Sequence, residues 1–67
     1  MTKTNLLKAK MAEHEVSNQQ AANKLNLSMV QFRKKLNNEA KFNQVEIKTI
    51  KQLLFLNDAD IVEIFLS

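Results

Sequence analysis

Sixty-seven residues, ten of them Lys or Arg and seven Asp or Glu for a net charge of +3, make a single domain expected to span 1–67 with no linker. The chain has no Cys, which excludes disulfides and cysteine-ligated zinc and leaves side-chain packing to stabilise the fold. Gly and Pro are absent too, and no apolar run nears the roughly 20 residues of a membrane span or forms a secretory leader, so an all-α, cytoplasmic protein is expected.

In chain order, a first helix is expected over 5–13 with Thr4 as its cap, burying Leu6, Leu7 and Met11 while Lys8 and Lys10 stay in water. His14-Glu15-Val16 is the connection, with Val16 placed to staple onto Ala21. Two helix starts follow eleven residues apart. Ser17-x-x-Gln20 and Ser28-x-x-Gln31 both fit a capping box, where the Ser oxygen accepts the N–H three residues on and Gln reaches back. The helix over 18–25 has a small inner face of Ala21, Ala22 and Leu25, which lets another helix approach closely. Asn26 suits the left-handed conformation that ends it.

The next helix, over 29–37, turns Phe32 and Leu36 inward at i and i+4 and distributes Met29, Val30, Gln31, Arg33, Lys34 and Lys35 over the rest of its surface. Asn37-Asn38 ends it. Residues 17–38 thus read as helix, turn, helix. Phe42 is expected to plug the core from the loop that follows. Asn43-x-x-Glu46 opens a helix running to Phe55, with Val45, Ile47, Ile50, Leu53 and Leu54 as core stripe and Glu46, Lys48, Lys51 and Gln52 in water. A last helix over 59–66, capped by Asn57 or Asp58, closes the bundle with Ile61, Ile64 and Phe65. Phe55, Leu56, Val62 and Leu66 exceed what this core needs, and serve either as a dimer surface or as further core. The fold class is therefore all-α, a compact bundle of four to five short helices containing a helix-turn-helix.

Charge is uneven. Residues 1–41 carry a balance of +5 and residues 42–67 one of −2, so the basic side holds the two-helix unit, as a footprint on nucleic acid requires. An enzyme is not expected: there is one His, His14, with no Gly-rich phosphate loop and no paired acids, and Asp58 and Asp60 are explained by helix capping. No cofactor or metal is implied.

Between Val16 and Phe65, about three quarters of the chain, the sequence resembles the small helix-turn-helix regulators of temperate phages of Gram-positive bacteria. That group includes Cro-like repressors and the antirepressors of the lysogeny switch. The resemblance is carried by Ser17, Gln19, Gln20, Ala22, Leu25, Leu27 and Ser28, then by Lys35-Leu36-Asn37, Phe42 and Glu46-Ile47. Two departures stand out. Asn26 and Asn38 occupy positions where the family commonly has Gly, and Met29 and Val30 stand where DNA readers of the family carry polar residues for base edges.

The resemblance implies a transcriptional regulator in a bacterial host cell, with the recognition helix as its site: Ser28, Met29, Val30, Gln31, Phe32, Arg33 and Lys34, with Asn18, Asn38 and Lys41 as rim or backbone contacts. Because Met29 and Val30 offer no useful hydrogen bond, the expected partner is a protein, the N-terminal DNA-binding domain of the phage repressor, blocked by an antirepressor. The alternative is a Cro-like repressor that binds operator DNA directly through Arg33, Lys34 and Gln31. Direct operator readers of this class usually act as dimers; the sequence leaves the oligomeric state open.

Overall fold

The computed structural model describes residues 2–66: Thr4–Glu13 (α1), Asn18–Lys24 (α2), Met29–Leu36 (α3), Gln44–Leu53 (α4) and Asp58–Ile61 (α5), which runs on as a wider π turn, Val62–Leu66. The described residues contain no strand and occupy a globule of 28 × 23 × 20 Å. Four of the five helices start by one device. Ser17, Ser28, Asn43 and Asn57 each accept the N–H of the residue three positions on, and Gln20, Gln31, Glu46 and Asp60 each return a side-chain oxygen to the cap N–H. Only α1 lacks it. Thr4 is already helical there, Lys3 holds the cap position with no side-chain bond, and the expected Thr4 cap is not formed.

Four helix ends are likewise alike. Glu15, Asn26, Asn38 and Phe55 take positive φ of 56°, 58°, 64° and 53°, and the next N–H bonds back across the last turn: Val16 to Met11, Leu27 to Ala22, Glu39 to Lys34 and Leu56 to Lys51, at 2.8–2.9 Å. Three junctions then share one order: a left-handed residue, an apolar residue folded back on the core, and a helix cap. They are Glu15-Val16-Ser17, Asn26-Leu27-Ser28 and Phe55-Leu56-Asn57.

The core draws on every helix, α5 contributing only the half-buried Ile61. Leu7 and Met11 come from α1, Ala21, Ala22 and Leu25 from α2 and its end, Phe32 and Leu36 from α3, Ile50 and Leu54 from α4 and its end, and Ile64 and Phe65 from the π turn. Phe42 plugs it from the loop as expected, its ring edge-on to Phe32 at 6.4 Å and to Phe65 at 5.7 Å. The ends of the chain meet through Lys3 N–H, which donates to the Ile64 carbonyl at 2.7 Å. Among the described residues no helix is long and apolar enough to cross a membrane.

The phase of α4 differs from the expectation. Its inner line is Glu46, Ile50 and Leu54, with Ile47 and Leu53 half-buried, so Val45, one residue off that line, is 74% exposed and Glu46 is buried. The helix also stops at Leu53, since Phe55 turns left-handed, and the last helix starts at Asp58 behind the Asn57 cap. Of the apolar surplus, Leu56 is core while Phe55, Val62 and Leu66 point outward.

Candidate partner-binding face of the third helix

Once Phe32 and Leu36 turn inward, the geometry of α3 decides what faces out. At about 100° per residue, Val30, Arg33, Lys34 and Asn37 fall on one outer face at i, i+3, i+4 and i+7. All four are exposed, Val30 at 65%. Arg33 and Lys34 form no ion pair among the described residues, and they stand in the last turn, where the helix dipole favours positive charge.

Several residues expected in the site have other roles. Ser28 Oγ accepts from Gln31 N–H and Gln31 Oε1 accepts from Ser28 N–H, each at 3.1 Å, so both are committed to the cap; Gln31 keeps its side-chain NH2 for a partner. Met29 is half-buried and packs on the core, so the apolar tip expected of Met29 and Val30 together is chiefly Val30. Phe32 is 1% exposed and cannot touch a partner; its place in the site is corrected to core. Asn18 and Lys41 are exposed, as rim contacts must be. Asn38 is exposed but engaged: its Oδ1 accepts from Thr2 N–H and its Nδ2 donates to the Thr2 carbonyl, both at 3.0 Å. Asn37, taken from sequence only as a helix end, joins the outer face, and its spacing of seven from Val30 is the signal that marks it.

Lys35 does not belong to that face. Its Nζ lies 2.6 and 2.7 Å from the two carboxylate oxygens of Glu46, with the side chains 17% and 8% exposed. Sequence periodicity put both in water. The free positive charge on α3 is therefore Arg33 and Lys34.

No family model, curated protein or solved structure matches the chain.

Away from α3, the exposed His14 ring packs at a tilt on Phe55, 5.5 Å between centroids, and the described residues contain no His, Cys, Asp or Glu cluster able to hold a metal. Lys51 donates to Asp58 at 2.5 Å, and this hydrogen bond, with the lysine's charge, holds the Asp58 carboxyl below its usual 3.8. Asp58 also stands at the first position of α5, where negative charge is favoured. That arrangement explains it as a helix-start group.

Proposed function

We propose that α2, the turn through Asn26 and α3 form a helix-turn-helix, and that the outer face of α3 binds the DNA-binding domain of a phage repressor, preventing it from reaching its operator. On this reading the chain is an antirepressor of a lysogeny switch, working in the cytoplasm of the bacterial host. The observation that carries it is the first turn of α3. Val30 stands 65% exposed, while Ser28 and Gln31 beside it are tied into the cap. A base edge needs hydrogen-bond donors and acceptors opposite it, and Val30 offers at most a contact with a thymine methyl group. A protein surface has pockets for an apolar anchor, and Arg33 and Lys34 behind it form the charged rim that steers the encounter.

One observation favours the second reading, a Cro-like repressor on operator DNA. Arg33 and Lys34 are exposed and unpaired among the described residues, with Asn37 on the same face just past the helix end. Salt separates the two. Neutralising phosphates releases counterions, so a DNA complex loses affinity steeply between about 50 and 200 mM salt, whereas an apolar contact barely responds. Fluorescence anisotropy against the repressor domain and against operator duplex is expected to show a protein complex with a shallow salt slope and no sequence-selective DNA complex. A tight, selective DNA complex with a steep slope overturns the antirepressor reading in favour of the second.

A further inference from the structure

The roll of α3 about its own axis decides whether Val30, Arg33 and Lys34 face outward together. Phe32 and Leu36, with half-buried Met29 beside them, draw the helix onto the core, but apolar burial has no direction. Lys35 supplies one. It lies about 100° around the helix from Leu36, on the flank of the buried stripe. Its Nζ is held by both oxygens of Glu46 at 2.6 and 2.7 Å. The carboxylate is itself immobile: Oε1 also accepts Asn43 N–H at 2.9 Å, and Asn43 Oδ1 accepts Glu46 N–H at 2.8 Å. One carboxylate thus closes the start of α4 and grips the side of α3. Beyond the end of α3, Asn38 and Thr2 exchange two hydrogen bonds of 3.0 Å, so the helix is held at its flank and near its end.

Desolvating both charges costs about as much as their attraction returns, so a pair this buried is a poor source of stability; what it supplies is geometry. We propose that Lys35 and Glu46 are a positioning pair that sets the roll of α3 and thereby aims the Val30, Arg33 and Lys34 face. The proposal takes that face to be the contact surface, and the measurement below needs no partner, so it fails independently of the identity of the target.

Three variants separate positioning from stability. Lys35→Met removes the grip and leaves the α4 cap intact. Glu46→Gln also keeps the cap, because Gln serves in a capping box, and it removes the charge from the grip. Lys35→Arg keeps a cation of similar reach. Amide hydrogen exchange read by NMR is expected to quicken about ten-fold or more in α3 relative to α1 in the first two variants, with shift changes confined to residues 29–37 and 43–47. Lys35→Arg is expected to return both towards wild type. Equal acceleration across all helices, no acceleration in α3, or outright unfolding of both Lys35→Met and Glu46→Gln overturns the proposal and makes the pair merely structural. If α3 loosens as expected while the wild-type chain ignores the repressor domain, the positioning pair stands and the proposed partner falls.

Discussion

Asn26 and Asn38 take the left-handed conformation at small cost, because their short polar side chains tolerate it, but Phe55 at φ 53° is strained by about 1–2 kcal/mol. It contributes little to the core in return, being 82% exposed with its ring against His14. Phe55→Asn is therefore expected to stabilise the chain by about 1 kcal/mol, raising Tm by about 4–8 °C in a domain of this size. An unchanged or lowered Tm in a thermal melt contradicts the strain argument. The two asparagines were legible in the sequence, while Glu15 and Phe55 were not, since neither residue type announces a left-handed turn. Their signal lies one step later: an apolar residue directly before a cap, as in Val16-Ser17 and Leu56-Asn57, requires the chain to double back just ahead of it. A second single-residue outcome concerns Asp58. Its folded pKa is depressed, so what its pairing with Lys51 contributes is present above about 3.8 and lost as pH falls through the lowered value. Lys51→Met is expected to move the Asp58 carboxyl titration, followed by NMR, upward towards 3.8; an unmoved midpoint removes Lys51 as the cause.

At the scale of the element, the starts of α2, α3 and α4 were readable because a capping box is local, cap and partner three residues apart; the last cap was left between Asn57 and Asp58, and the Thr4 cap of α1 does not form. The phase of α4 was not readable. Glu46 is buried facing Lys35, eleven residues earlier and on another helix, which supplies the opposite charge there. Val45, apolar and next to it, is displaced to the surface as a consequence. Two substitutions check this phase. Val45→Lys is expected to change stability by less than about 0.5 kcal/mol, as an exposed position allows, while Ile50→Ala, at 2% exposure, is expected to cost about 2–5 kcal/mol. Urea denaturation giving a large loss for Val45→Lys contradicts the observed orientation. The same non-local logic explains the half-buried Met29. Periodicity places it at the edge of the α3 stripe, and only packing against the core decides how much of it remains outside.

For the whole molecule, a chain of 67 residues has a total stability of a few kcal/mol, up to about 10, and a large apolar side chain left exposed adds nothing to it. Val30, Val45, Phe55, Val62 and Leu66 are such residues; Val30 has two unpaired cations, Arg33 and Lys34, one turn behind it, where Val45 has the single Lys48. The all-helical class and the two-helix unit followed from composition and capping patterns; the size of the apolar tip needed the tertiary packing that half-covers Met29. The measurement that bears most directly on the proposed role is a calorimetric titration of the repressor's DNA-binding domain with the wild-type chain and with Val30→Asp. At 65% exposure Val30 is not core, so the variant is expected to keep its helical spectrum and melting behaviour. Its affinity is expected to fall about 100-fold or more, the loss of a central apolar anchor. A folded Val30→Asp chain that binds the repressor domain as tightly as wild type contradicts the account.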